Sequence, residues 1–163
     1  MSNIKNYLES TAPIGNFNGA NRLKICADGI REFLNKNFSI PKDNKTFDVG
    51  APENIPNEEC AKAYILGCLD GDGCINVKHK RISITNSAIK FILGFKDILY
   101  KYTNIELNFN CEHRKKTNNT YPCASICGKK AVFILDWVYS TNCKFYLNRK
   151  YKKYLRLKDD DIV

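Results

Sequence analysis

The sequence predicts an α+β domain in which helices cover one face of a four-stranded antiparallel sheet. Two observations lead to this expectation: two pairs of β-type runs, each joined by a short polar turn, and amphipathic helical patterns before, between and after them. The expected order from residue 57 onward is α-β-β-α-β-β-α-α. A sheet made from two hairpins buries one face under the helices and leaves the other face open.

The first 56 residues are expected to form a smaller helical unit. Apolar residues recur at helical spacing on either side of a break near Cys26. A short helix around Ala20 to Ile25 and a second from about Ala27 to Asn37 would fit a helix-turn-helix, whose second helix enters the major groove. A plain helical hairpin fits the same pattern equally well.

The chain is expected to divide into four parts. Three of the five prolines lie in residues 41–56, which we interpret as a linker. The predicted parts are a helical segment 1–40, the linker 41–56, a main domain 57–158 and an acidic tail 159–163.

The main domain begins with a helix that Asn57 is expected to cap, followed by two glutamates in its first turn. Residues 74–87 and 105–127 each predict a hairpin, and residues 88–102 predict an amphipathic helix between them. Two further helices are expected within 129–140 and 145–158. The expected buried stripe of the middle helix comprises Ile89, Ile92, Leu93, Ile98, Leu99 and Tyr102.

The charge distribution indicates a polyanionic partner. The chain has a net charge of +9, and residues 73–156 alone carry seventeen Lys and Arg against four Asp and Glu. Such a basic domain suits nucleic acid, although a merely basic soluble surface is the alternative. No apolar run approaches the roughly 20 residues of a membrane span, and no signal-peptide pattern is present, so a soluble intracellular protein is expected.

The eight cysteines are expected to be mostly reduced, because the sequence shows no secretory signal. Four soft ligands nevertheless cluster in sequence: Cys111, His113, Cys123 and Cys127. Zinc accepts such ligands, but their spacing on predicted strands does not match the usual zinc knuckles. We therefore disfavour a structural zinc site here without excluding it.

The stretch YILGCLDGDGCINV, residues 64–77, ends a predicted helix in two carboxylates and three glycines. An EF-hand loop starting at Asp70 is excluded, because its fifth, sixth and twelfth positions would be Cys74, Ile75 and Arg81. Carbonyl oxygens at a helix C-terminus carry partial negative charge. The Gly71 carbonyl and the Asp72 carboxylate therefore form an oxygen-rich point suited to Mg²⁺.

Gly67 and Gly71 lie four residues apart and so share one face of this helix, where a second helix can approach closely. The motif occurs once, which predicts a two-fold homodimer with Tyr64, Leu66, Gly67 and Gly71 in its interface. The alternative is that the glycine face packs within the chain. Asp70 is expected to support the helix end rather than to act in catalysis.

The nine residues Ile65–Gly73, ILGCLDGDG, resemble the motif of the LAGLIDADG homing endonuclease family, and the predicted element order over residues 57–157 matches the core of that family. The resemblance implies a site-specific, Mg²⁺-dependent endonuclease that cuts double-stranded DNA as a homodimer, without a small-molecule substrate. It implies Asp72 as the metal ligand, Asn86 as a polar catalytic residue at the end of the second strand, and Lys150 as a catalytic lysine at the start of the final helix, where it would stabilise developing negative charge. Arg149 takes this role if the register is shifted by one residue, and a solvated position on the helix surface is the alternative for Lys150. Such enzymes are typically encoded by introns or as free-standing genes in phage, bacterial or organellar genomes.

Outward residues of the two hairpins are expected to contact DNA, because an antiparallel ribbon fits the major groove. They are Asn76, Lys78, Lys80, Arg81, Ser83, Asn108, Asn110, Arg114, Lys116, Asn118 and Asn119. An RNA maturase or a DNA-binding regulator on the same fold, without cleavage, remains the alternative function. A basic scaffold protein that binds any DNA weakly is a second alternative.

Overall fold

A computed structural model describes residues 11–17, 20–24, 49–114, 118–142 and 144–159, together with isolated residues of the N-terminal segment. Its helices are α1 Glu58–Gly71, α2 Ile89–Thr103, α3 Lys129–Tyr139 and α4 Asn148–Asp159, and its strands are β1 Ile14–Phe17, β2 Ala20–Leu23, β3 Gly73–Asn76, β4 Arg81–Thr85, β5 Asn108–Arg114 and β6 Asn119–Cys127. The predicted order of helices and strands from residue 57 onward is confirmed.

The main sheet has the order β3-β4-β6-β5, and all its neighbouring strands are antiparallel. Gly73 lies opposite Ile84, Arg81 lies opposite Cys127, and Asn108 lies opposite Ser125. This register puts the turn between β3 and β4 at one end of the sheet and the turn between β5 and β6 at the other. The sheet is therefore elongated along its strands, and α1 ends beside the middle of the sheet.

One core joins the sheet to all four helices. Side-chain alternation puts Ile75, Ile82, Ile84 and Ile126 on one face of the sheet, where each is at most 6% exposed. The helices cover this face with larger apolar residues, among them Ile65, Leu69, Ile92, Phe95, Leu99, Ile134, Leu135, Val138 and Leu157. The opposite face of the sheet points away from the helices.

The buried stripe of α2 differs from the prediction. Phe95 is buried, whereas Ile89 and Leu93 are 49% and 44% exposed, so their assignment to the core is wrong. Leu93 is turned about 100° around the helix axis from the buried Ile92. Ile89 is the first residue of the helix and lies before the part that the core covers.

The expected first helix of the N-terminal segment is also wrong. Ala20–Leu23 is strand β2, paired with β1 so that Phe17 lies opposite Ala20. The dipeptide Asn18-Gly19 between these strands is a strong hairpin signal, and it outweighs the helical spacing of the apolar residues. The second predicted helix, residues 27–37, lies mostly outside the described residues, although the positions described within it are helical.

The end of the predicted linker packs on the main domain. Pro52 is buried, and Ile55 packs against the core. A Cβ atom on Gly94 of α2 would lie 2.5 Å from the Cβ of Ala51, so this close approach requires glycine. The last part of residues 41–56 is therefore attached to α2, and the other domain boundaries remain predictions.

Among the described residues, no helix is both long and apolar enough to cross a bilayer.

Candidate catalytic site and nucleic-acid interface

The site is built at the junction between α1 and β3. The Asn57 side chain caps the start of α1 by accepting a hydrogen bond from the Cys60 amide at 2.9 Å, as predicted. The helix ends at Gly71, and Asp72 is its C-terminal cap. A Cβ atom on Gly73 would lie 2.6 Å from the Leu69 carbonyl oxygen, so only glycine allows so tight a step from helix to strand. This step leaves the Asp72 side chain exposed.

Asn86 contacts Asp72 directly. Its side-chain Nδ2 donates to Asp72 Oδ2 at 3.1 Å, and its Oδ1 accepts from the Ala88 amide at 2.9 Å. The Asn86 main-chain amide also donates to the Pro122 carbonyl at 3.1 Å. Three hydrogen bonds thus fix the position of Asn86, and the structure brings two of the three predicted catalytic side chains together.

Lys150 lies beneath this pair, with 4% of its surface exposed. Its ammonium group donates to the Leu69 carbonyl, to the Asp70 carbonyl at 2.9 Å and to the Gly73 carbonyl at 2.7 Å. Burial lowers the pKa of Lys150, and the positive charge of Arg149 adds to this effect. An ammonium group has three protons to donate, so Lys150 uses all of them on the main chain around Asp72.

This arrangement changes the interpretation of Lys150. The residue is not a solvated lysine on a helix surface, which was the alternative to a catalytic role. Its charge compensates the partial negative charge at the C-terminus of α1 and holds the main chain on both sides of Asp72. The geometry makes Lys150 a positioning residue, and direct contact with a phosphate remains a prediction.

Asp70 connects α1 to α4. Its Oδ2 accepts from the Leu147 amide at 2.7 Å, immediately before α4 begins. A carboxylate near a helix N-terminus is favourable, because the amides there lack partners within the helix. Asp70 therefore anchors the start of α4, in agreement with the expectation that it supports the end of α1.

The glycine face of α1 is open. Gly67 and Gly71 are exposed, and a Cβ atom on either would meet no atom of the chain within 4 Å. Packing of this face within the chain is therefore not observed among the described residues. Tyr64 is half-buried beside it. Leu66 is 1% exposed and belongs to the core of its own chain, so its assignment to a dimer interface is wrong.

The predicted DNA-contacting residues of the strands share the face of the sheet that points away from the helices. The register puts Asn76, Arg81, Ser83, Asn108, Asn110 and Asn119 on this outer face. Lys78 and Lys80 lie in the turn between β3 and β4, and Asn118 lies just before β6. Lys116 and the side chain of Arg114 lie outside the described residues.

Sequence reasoning missed one charged residue of the outer face, Glu112. Its carboxylate accepts a hydrogen bond from Thr85 Oγ1 at 2.9 Å. Strict alternation from Asn108 and Asn110 would have placed Glu112 on this face.

The four candidate zinc ligands are separated by the sheet. Cys111 and His113 alternate with Asn110 and Glu112, so they point to the helix side of β5. Cys123 and Cys127 share the outer face with Asn110 and Arg81. Because the two pairs point to opposite faces, they cannot meet at one zinc ion.

Comparisons with known proteins agree with this architecture. The family model described as a LAGLIDADG-like domain matches residues 59–142. The crystal structure of the N-terminal LAGLIDADG domain of DUF199/WhiA is similar with a TM-score of 0.50 and 14% sequence identity, over 93% of this chain and 68% of that one, which shows a common fold. A probable translation initiation factor IF-2 of Methanocaldococcus jannaschii is 25% identical over 96 residues, which span 57% of this chain and 8% of that protein.

Proposed function

Since this chain belongs to the LAGLIDADG family, we propose that it is a site-specific endonuclease that cuts double-stranded DNA as a metal-dependent homodimer. The observation that carries the proposal is the exposed Asp72 carboxylate, which Asn86 holds at 3.1 Å beside the outer face of the sheet. Here the carboxylate is presented to solvent by a rigid helix end and an oriented amide.

The residues at this point fit Mg²⁺. That ion is usually held by one or two carboxylates, substrate phosphates and waters rather than by a complete protein cage. In this chain Asp72 and the Gly71 carbonyl, at the C-terminus of α1, would supply the protein ligands. When bound, the ion would neutralise charge on the scissile phosphate and lower the pKa of an attacking water.

The protein's own contribution is positioning. Asn86 orients Asp72, and Lys150 fixes the main chain on either side of it. Such preorganisation matters, because displacement of a reacting group by about 1 Å can reduce a rate by roughly 100-fold.

The open glycine face supports a homodimer. Glycine in a helix costs about 1 kcal/mol relative to alanine, and nothing within the described chain uses the space at Gly67 and Gly71. A second α1 helix packed on this face would account for both glycines. It would also bring the two Asp72 side chains near one two-fold axis, as cutting two antiparallel DNA strands requires.

The outer face of the sheet supports binding of duplex DNA. It carries asparagine, serine and arginine side chains along its length, and lysines lie in the turn between β3 and β4. Arg and Asn recognise base edges in the major groove, whereas Lys more often contacts phosphate. A long pseudo-palindromic site would suit the homing of an intron or another mobile element.

A cleavage selection with Asp72→Asn tests the proposal. Parent and variant are incubated with a randomised duplex library in Mg²⁺, and the cut ends are sequenced. We expect the parent to cut a pseudo-palindromic site. The variant should lose cleavage by at least about 100-fold, because its amide carries no charge to hold the ion. It should retain DNA binding, because the amide has the same shape as the carboxylate. Full cleavage by Asp72→Asn would overturn the metal assignment.

A binding protein without cleavage is the second candidate, either an RNA maturase or a DNA-binding regulator. The observation that favours it is the use of all three Lys150 donors by main-chain carbonyls, which leaves this lysine without a proton to donate to a phosphate. Retention of a defined DNA or RNA sequence by the parent, without cutting in Mg²⁺, would select this candidate. Weak, salt-sensitive binding to any DNA would indicate a basic scaffold instead.

A further inference from the structure

Among the strand residues that the structure describes, Glu112 is the one acidic side chain. It occupies the outer face of the sheet, in register with Tyr121 on β6. If the chain binds DNA as proposed, this face lies against the DNA, whose phosphates repel a carboxylate. A favourable contact between Glu112 and the DNA would have to offset this repulsion.

The carboxylate lies over the middle of the outer face rather than at its edge. Glu112 belongs to edge strand β5, yet it accepts its hydrogen bond from Thr85 on β4, with β6 between the two strands. The residue beneath this contact is Cys123, which pairs with both Thr85 and Asn110 and is 2% exposed. A small residue on β6 thus allows the glutamate to reach across the central strand.

This position is next to the candidate catalytic pair. Thr85 immediately precedes Asn86, whose amide contacts Asp72. The Thr85 hydroxyl holds the carboxylate in one orientation, and a carboxylate has about four acceptor positions, so several remain for a ligand. A ligand group that binds here must donate hydrogen bonds.

We propose that Glu112 is a specificity-determining residue that recognises a cytosine through its N4 amino group, at one base pair in each half of the DNA site. In the major groove cytosine presents the N4 donor, whereas guanine and thymine present acceptors that repel a carboxylate. Adenine presents a donor beside the N7 acceptor, which makes it a poorer partner. This inference rests on the proposed binding of duplex DNA by the outer face.

The test is a binding selection from a randomised duplex library with the full chain, in EDTA so that no cleavage is needed. The variants are Glu112→Gln, which keeps the shape and removes the charge, and Thr85→Val, which removes the orienting hydroxyl. Glu106→Gln is the matched control, because Glu106 is an exposed acid in the loop before β5. All four proteins are compared at one salt concentration.

We expect the parent to select cytosine at one position per half-site. Glu112→Gln should reduce that preference roughly 10- to 100-fold and shift it towards adenine, which glutamine recognises. Thr85→Val should weaken the same preference by a smaller factor, and Glu106→Gln should leave it unchanged.

Two results would overturn the assignment of Glu112 and leave the proposed function standing. The first is an unchanged cytosine preference in Glu112→Gln. The second is an equal gain in affinity for all DNA sequences in both Glu112→Gln and Glu106→Gln. The second result would mean that Glu112 merely repels DNA. If the parent shows no sequence preference or does not bind the library, the proposed function fails, and the assignment fails with it.

Discussion

At the scale of single residues, one buried ammonium group organises the candidate site. Lys150 donates to the carbonyls of Leu69, Asp70 and Gly73, which belong to the last turn of α1 and the first residue of β3. Burying a cation is costly unless hydrogen bonds compensate it. Here the partial negative charge of the helix C-terminus supplies that compensation, so the lysine and the helix end depend on each other.

Replacing Lys150 with methionine would test this dependence. We expect the free energy of unfolding to fall by about 2 to 3 kcal/mol, because buried carbonyl groups lose a charged hydrogen-bond donor while the side-chain volume is nearly kept. Urea denaturation measures the change. Lys152→Met, at an exposed position of the same helix, is the control and should stay within about 0.5 kcal/mol of the parent. Equal losses in both variants would contradict the role given to Lys150.

At the scale of elements, α4 is held in place at both ends. Asp70 binds the amide of Leu147 just before its start. Towards its end, Asp136 of α3 accepts from the Tyr154 hydroxyl at 2.5 Å and from Lys158 Nζ at 2.8 Å. These contacts fix α4 against α1 and α3, and so they fix the position from which Lys150 reaches the site.

Asp136 makes the attachment of α4 dependent on pH. Burial alone would raise the pKa of Asp136, but the hydrogen bonds from Lys158 and Tyr154 outweigh it, and the pKa lies below its ordinary value. A carboxyl group whose pKa is lower in the folded state stabilises the fold at neutral pH. This contribution begins to fall near pH 4, the unfolded-state pKa, and disappears below the folded-state pKa.

Asp136→Asn should therefore unfold more easily than the parent at pH 7, and the difference should vanish in acid. Urea denaturation at pH 7 and at a series of values below about pH 4 measures this convergence. Asp97→Asn, at an exposed position of α2, is the control and should match the parent at pH 7. A difference between Asp136→Asn and the parent that persists at the lowest pH would show that the carboxylate charge is not the cause.

At the scale of the whole molecule, the proposed site is complete only when two chains meet. Asp72 lies at the end of the open glycine face of α1, and strand β3 of the sheet begins directly after it at Gly73. Two copies related by a two-fold axis along this helix would place two carboxylates side by side under one continuous DNA-binding surface. The proposed two-fold symmetry thus rests on the open face of a single helix.

Gly67→Leu should break the dimer without unfolding the chain. A leucine has room in the single chain, because a Cβ atom at this position meets no neighbour within 4 Å, but it would separate two helices that approach closely. Light scattering should give a mass near 18.7 kDa for the variant and twice that value for the parent. Lys130→Leu, which puts the same side chain on an exposed position of α3, should remain a dimer. A dimer mass for Gly67→Leu would refute the role of the glycine face.

The sequence by itself determined the order of elements, the cap at Asn57 and the polar face of the two hairpins. These features depend on local patterns: helical and alternating periodicity, a capping residue, and a motif in which helix and strand adjoin. The strand pairing of residues 14–23 and the exposure of Ile89 and Leu93 show where competing local signals misled that reasoning.

Only the tertiary structure decided what Lys150 binds, which face of α1 Leu66 occupies, and why Cys111 and Cys127 cannot share a metal. It also revealed that Glu112 reaches Thr85 across a strand. Each of these depends on the register of strands or the packing of helices that lie far apart in the sequence, from 27 residues for Thr85 and Glu112 to about 80 for Lys150 and its carbonyl partners. Local patterns decide the type and order of the elements, and contacts between distant segments decide which faces are buried and what they meet.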